Sequence, residues 1–390
     1  MKPRVRAAKS FALWNLGFRP FYLLAGVFAA LAMVLWTAQF AGWFASTSYL
    51  RDPLWHAHEM IFGYAFAVIA GFLFTAVCNW TGKSTPTGWK LVAVVALWVA
   101  GRVLLATPWP LLAAATDTAF ALALAAGIGV PLLASGNRRN YFFIALMLAI
   151  GGANLAFHLA MSGHLEIPVR DMLQLGLNLI AFIMALMGGR VIPMFTANGV
   201  PGTRPVRRLW LERVALASLL VLLAADLAHV PAEAVAVIAG IAGAAHAWRL
   251  ALWQPLLTRG TPLVWILHAA YAWLVLYLIL RALAGFDIVS LNLATHALTI
   301  GAIGGMTLGM MTRTTRGHTG RPLRAEAAET ACYILINLAA VVRVFVPLAA
   351  PAFYRDAVIV SGVLWAAAFA VFFGKYWTIL TRPRVDGRSG

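Results

Sequence analysis

Acidic side chains are rare in this sequence: Asp and Glu number 13 in 390 residues, against 30 Lys and Arg. Charged residues of both signs amount to 11%, whereas 62% are hydrophobic. A water-soluble domain cannot cover its surface with so little charge, which excludes that class. Cysteine is nearly missing too. Cys78 and Cys332 are too few for a disulfide framework and read as small apolar residues. There is no Walker loop, nucleophile elbow or Rossmann glycine pattern. Cys-x-x-Cys-His is also absent, so any haem would be held non-covalently. No polar stretch is long enough for a separate soluble domain, and 1–390 is expected to be a single polytopic membrane domain.

What remains is a series of apolar runs. A hydrocarbon core about 30 Å thick takes about 20 residues of helix. Runs of that length fall at about 18–43, 53–80, 88–106, 110–134, 140–162, 170–194, 209–228, 232–253, 262–284, 288–312, 326–347 and 354–380. None alternates like a β-barrel strand. The expected fold is therefore an all-α membrane protein of twelve transmembrane helices. Lys2, Arg4, Arg6 and Lys9 precede an apolar run from Phe21 to Phe44, too long for a signal-peptide core and expected to stay as the first span. Asp52 before Pro53 is a plausible cap for the second span.

The net charge of +17 raises the question of nucleic acid, and its distribution answers it. The basic residues lie in short connections between spans. With the first segment inside, only Arg51, Arg102, Arg170, Arg281, Arg343 and Arg355 fall on the outer side; the other 24 are cytoplasmic. That asymmetry is the positive-inside signal of a membrane protein with both termini cytoplasmic. It leaves no nucleic-acid footprint.

The same topology turns the histidines into depths. The second span opens with Trp55-His56-Ala57-His58-Glu59-Met60. At 1.5 Å per residue, His56 and His58 lie about 5–8 Å below its outer end, His158 about 6 Å below the outer end of the fifth span, and His296 about 12 Å below that of the tenth. Four imidazoles from three helices thus share the outer part of the bilayer. Neutral imidazole is a common ligand for transition metals and haem iron, so His56, His58, His158 and His296 are the candidate ligands, with His268 as a further one. His56 and His58 are i,i+2, about 200° apart on a regular helix, and cannot both face one metal unless the first turn is irregular. Either they serve different centres or one is an entrance residue.

Glu59, three residues after His56, lies on that histidine's face and can orient it or relay protons. Asn154 sits one turn before His158, and Gln174 and Asn178 form an i,i+4 polar pair; these hold water, a polar ligand or a neighbouring helix. Arg102, Arg281 and Arg343 lie within apolar runs on the sparsely charged side. Arg102 and Arg343 are candidate partners for haem propionates, the alternative being lipid phosphate. Gly301, Gly305 and Gly309 share one helix face, admitting a neighbouring backbone or a flat cofactor. Met184, Met187, Met194, Met306, Met310 and Met311 read as span filler.

Several of these stretches carry a resemblance. Asn15-Leu16-Gly17-Phe18-Arg19-Pro20-Phe21, Trp55 through Tyr64, Gly189-Arg190-Val191-Ile192-Pro193-Met194-Phe195-Thr196, Thr295-His296-Ala297 through Arg313, and Gly317-His318-Thr319-Gly320-Arg321-Pro322-Leu323 resemble the NnrS family over essentially the whole chain. The resemblance implies a twelve-span bacterial inner-membrane protein containing haem and copper. It also implies a role in denitrification and in protection against nitric oxide and nitrosative stress. Haem–copper oxidase and nitric oxide reductase large subunits offer a distant architectural analogy, but their paired His-His and His-x-His sets on later helices are missing here.

The functional expectation is a haem- and copper-binding membrane protein that binds or reacts with nitric oxide at a His-ligated metal in the outer bundle. The alternative is a proton-coupled small-molecule permease with a His/Glu relay.

Overall fold

The computed structural model describes residues 11–43, 50 and 53–388, and in these residues every long element is a helix. Twelve follow one another: α1 Phe18–Phe40, α2 Leu54–Thr81, α3 Gly88–Leu104, α4 Pro110–Ala134, α5 Arg138–Met161, α6 Val169–Gly199, α7 Leu209–Leu227, α8 Ala232–Ala251, α9 Pro262–Gly285, α10 Leu291–His318, α11 Ala327–Ala349 and α12 Pro351–Thr381. Ten are long and apolar enough to cross a membrane. The other two fall short for visible reasons: α3 has only 17 residues, and α7 carries Glu212, Arg213 and Asp226 within its 19. The chain is a multi-pass membrane protein.

The twelve apolar runs and the twelve helices agree closely. The main differences are extensions: α6 continues past 194 to Gly199, and α10 past 312 to His318. An apolar run measures hydrocarbon thickness, whereas a helix keeps its backbone bonds into the polar boundary, where arginine stems still pack. Pro110 and Pro262 occupy first turns, where a missing N–H costs nothing. Pro131, Pro193 and Pro347 lie inside helices, their freed carbonyls tolerated in a packed bundle. The expected cap Asp52 lies outside the described residues, as do Arg51, Lys2, Arg4, Arg6 and Lys9.

Two helices form the centre. The apolar stretches of α2 and α10 are the most buried of the candidate spans, at 89% and 78%. Around them α1 packs on α2 and α12, α4 on α3 and α5, α9 on α8 and α10, and α11 on α12. Both central helices begin with a histidine-bearing α-helical turn and widen at once into π-helix. In α2 the wide segment is Glu59–Ala65, directly after His58; in α10 it is Ala297–Gly304, directly after His296. Such widening leaves carbonyls less well served along the axis and re-aims the following side chains. One of those carbonyls, on Gly63, accepts a hydrogen bond from the Trp98 indole at 2.9 Å.

The glycine face of α10 serves helix packing. A Cβ on Gly305 would lie 3.2 Å from the Ala270 Cβ of α9, while Gly301 meets Trp273 and Gly309 meets Leu267 on the same helix. At the end of the bundle where α10 finishes, Arg316 binds Glu329 at 2.7 Å and Glu326 at 3.1 Å, and Lys375 reaches Glu326 at 2.6 Å. Lys375 and Arg316 hold the exposed Glu326 carboxyl below its ordinary range. Glu326 and Glu329 also cap the first turn of α11 reciprocally.

Because α10 touches α9 through glycine, Gly305→Leu is expected to destabilise the bundle by about 1–3 kcal/mol through overpacking. A thermal melt in detergent checks this; a midpoint equal to that of the parent protein would show the face to be slack.

Candidate metal and cofactor sites

The first turn of α2 sends its two histidines to opposite sides. His58 turns toward α4 and α5 and enters a fully buried polar cluster. Its Nδ1 lies 2.9 Å from Glu59 Oε1 and its Nε2 2.7 Å from Asn154 Oδ1. Asp117 of α4 completes the cluster, with Oδ2 at 3.4 Å from His158 Nε2 and 3.7 Å from His58 Nε2. Asn154 Nδ2 donates to the same oxygen at 3.3 Å. Arg102 of α3 clamps both acids, donating to Glu59 Oε1 at 2.6 Å and to Asp117 Oδ1.

Small residues make the room. A Cβ on Gly101 would collide with the Asp117 carboxylate, and one on Gly63 would lie 2.6 Å from Arg102 Nη1. Phe62 and Phe157 close the side of His58, with ring centroids 5.3 and 4.9 Å away.

The chemistry of this set suits a cation. Ligand atoms of His58, Asp117 and His158 lie within 4.8 Å of one another, and all three residues are buried. Glu59 accepts the Nδ1 proton of His58, the carboxylate–histidine arrangement found behind many metal ligands, while Nε2 donates to Asn154 Oδ1 beside Asp117, so a metal at Nε2 would take the place of that proton. Two imidazoles and a carboxylate match copper(II), iron or zinc better than magnesium or calcium.

His56 faces the other way, into a cavity of about 890 Å³. The walls come from α1, α2, α6, α10, α11 and α12, and include Trp36, His56, Gln174, His296, Arg343 and Trp365. Binding pockets for sizeable organic ligands run from about 300 to 1,000 Å³. The His56 ring stacks on Trp36 at 4.1 Å and 22°, which fixes its plane. His296 is oriented by its own helix: Nδ1 lies 2.8 Å from the Asn292 carbonyl and donates to it, leaving Nε2 as an acceptor. Two buried polar atoms on these walls, His56 Nδ1 and Arg343 Nη1, have no hydrogen-bond partner among the described residues. A planar macrocycle with carboxylate arms fits that wall: imidazole nitrogens for a metal, and a guanidinium for an anion.

The sequence model of the NnrS family, described as NnrS protein, matches residues 12–384. The chain belongs to the NnrS family. No curated protein matches it. Within this NnrS chain, the residues singled out from the sequence separate into three groups. His58, His158, Glu59, Asn154 and Arg102 meet in the polar cluster, where Arg102 pairs with acids and takes no part in the cavity wall. Glu59 reaches His58, its neighbour, although three-residue spacing suggested His56; the π-helical widening begins at that very residue. His56, His296, Arg343 and Gln174 line the cavity, and Gln174 donates to Asn178 at 2.9 Å. His268 lines neither place, its Nε2 lying 2.8 Å from Thr196 Oγ1.

Asp117 escaped a reading centred on histidine. Its signal was present: it is the one acid within the run 110–134, and an ionisable residue inside a span asks for a function or a partner. Arg281, by contrast, is engaged by Asp226 and Tyr277.

Arg102→Leu leaves Glu59 and Asp117 as buried, unpaired charges, and a loss of roughly 3–5 kcal/mol of stability is expected. Thermal melts should show that adding Glu59→Gln and Asp117→Asn to this variant restores much of the loss. No recovery would mean that Arg102 acts through packing.

Proposed function

We propose that this NnrS-family protein resides in the bacterial cytoplasmic membrane with both termini cytoplasmic. On this reading it binds haem in the histidine cavity and a copper ion in the His58–Asp117–His158 cluster, and acts on nitric oxide in protection against nitrosative stress. The single observation that carries the reading is the division made by the first turn of α2: His56 joins His296 on a cavity wall, while His58 joins a second, separate ligand set. Family membership supports haem, copper and nitric oxide as the components.

In this arrangement His296 and His56 are the candidate iron ligands. Arg343 is the candidate partner of a propionate, and Gln174 supplies a hydrogen-bonding group on the same wall. Haem, when bound, supplies an iron that takes up diatomic gases and exchanges electrons. The protein's own contribution is to hold imidazole planes, exclude bulk water with aromatic and aliphatic walls, and set Glu59 behind His58. Nitric oxide is small and uncharged and partitions into lipid, so a site inside the bundle is accessible to it without a polar channel.

A second reading, a proton-coupled permease, is favoured by the Glu59–Arg102–Asp117 network, since acids and histidines at membrane depth are common in proton relays. Uptake by sealed vesicles, dependent on an imposed proton gradient, distinguishes it.

Two measurements test the leading reading. In purified protein, His296→Ala and His56→Ala are expected to lose the pyridine haemochrome signal while retaining copper by elemental analysis; Asp117→Ala and His158→Ala should do the opposite. Haem and copper lost together in every variant, or retained in all four, overturns the two-centre assignment. Stopped-flow mixing of reduced protein with nitric oxide should give a haem-nitrosyl spectrum in the parent protein and none in His296→Ala.

A further inference from the structure

Beside the histidine cavity lies a second, smaller void that the reading above does not use. It has a volume of about 80 Å³ and sits among the central stretches of α2, α6 and α10, midway along those helices. Its walls are apolar: Ile69 from α2, Ile183, Met184 and Met187 from α6, and Ile303 and Met306 from α10. Two residues bring hydroxyls, and one of them is turned to other partners. Thr307 Oγ1 donates to the Ile303 carbonyl at 2.7 Å and is also engaged by the Tyr64 hydroxyl, while the Tyr22 hydroxyl is buried with no hydrogen-bond partner among the described residues. A buried water needs two to four polar partners, and the single Tyr22 hydroxyl falls short of that. Dry apolar cavities of about 150 Å³ take up benzene or xenon. One of half that size suits a single atom or a diatomic molecule.

The position of the void gives it a use. Ile303 belongs to the walls of both cavities. Tyr64 of the histidine cavity is hydrogen-bonded to Thr307 of the smaller one, so the two share a wall side chain and are linked by one hydrogen-bonded pair. Phe72, Val191 and Met310 on its wall are partly exposed, so the void lies close to an outer face of the apolar bundle. The unbranched, polarisable methionines yield easily to a passing guest.

We propose that this pocket is a binding site for a small uncharged gas, a way-station between the bilayer interior and the histidine cavity. The proposal rests on the reading that the histidine cavity holds a gas-binding haem. Its ligand class is an apolar or weakly polar diatomic, selected by dryness and size. A charged molecule of similar volume, such as nitrite, finds no cation on that wall and one hydroxyl at most to pair with.

Xenon reports on the pocket without any haem. Haem-free protein in nanodiscs is expected to take up xenon with a saturable 129Xe chemical-shift change, and crystals pressurised with xenon should show one atom beside Ile183 and Met187. Ile183→Trp fills the void and should abolish both signals. Met184→Phe is the second filling variant, in case Ile183→Trp does not fold. In haem-loaded protein, flash photolysis of carbon monoxide is expected to show association and dissociation slowed severalfold and by the same factor in a filled variant, with unchanged equilibrium affinity. Xenon absent from the pocket, a resident acyl chain that xenon does not displace, or unchanged gas rates in a filled variant each overturns the proposal. Xenon uptake by a protein that binds no haem would instead count against the haem assignment and leave the gas site standing.

Discussion

Charge can stay inside an apolar bundle only if its partner is built in beside it, and this molecule is arranged around that requirement. Among the described residues four carboxylates are buried, those of Glu59, Asp117, Glu212 and Glu329, and each faces an arginine. All four pairings tie different helices together, three of them being α3 to α4 through Arg102 and Asp117, α7 to α8 through Glu212 and Arg249, and α10 to α11 through Arg316 and Glu329. The fourth ties α3 to α2 through Arg102 and Glu59. A single unpaired charge at these depths would cost several kcal/mol, so the pairs fix which helices are neighbours and at what height. The scarcity of acids in the sequence has the same origin: each one kept must have a cation within reach.

The Arg102 clamp differs from the others in what it leaves over. Glu212 is occupied by two guanidinium nitrogens of Arg249, Nε donating to Oε1 at 3.0 Å and Nη2 to Oε2 at 2.6 Å. In the α2–α5 cluster Arg102 takes one oxygen of Asp117 and leaves the other turned to His58, His158 and Asn154. A structural ion pair closes upon itself; this one presents a free face to two imidazoles. That contrast, more than the presence of histidine, separates a candidate ligand set from the ordinary pairing that holds the bundle together.

The histidine motif at the head of α2 shows how far reading residues in a line can go. Its i,i+2 spacing already required His56 and His58 to diverge, because side chains two apart on a helix point to opposite sides. Depth counting placed His158 and His296 in the same zone. Which histidine joined which partner was hidden, since equal depth on three helices is compatible with any rotation of each. The π-helical segments compound this: a wide turn shifts every later side chain, and nothing in Glu59–Ala65 or Ala297–Gly304 announces it beyond a glycine or two. Asp117 was overlooked although it stood alone in its span, and Arg102 was read toward a cofactor although it serves two acids.

Twelve helices, their order and their apolar lengths follow from the chain alone, because the bilayer is a solvent of fixed thickness that demands about twenty apolar residues per crossing. The marked bias of basic residues to one set of connections is likewise a property of the linear sequence, as are the family's motifs. The parting of His56 and His58 into a cavity wall and a polar cluster, the small void beside that cavity, and the use of the α10 glycines for packing on α9 were decided only by tertiary structure. Each depends on the rotation of one helix against another. That rotation is set by ion pairs and side-chain packing between residues far apart in the chain, such as Arg102 with Asp117, or Gly305 with Ala270, and no local pattern encodes it.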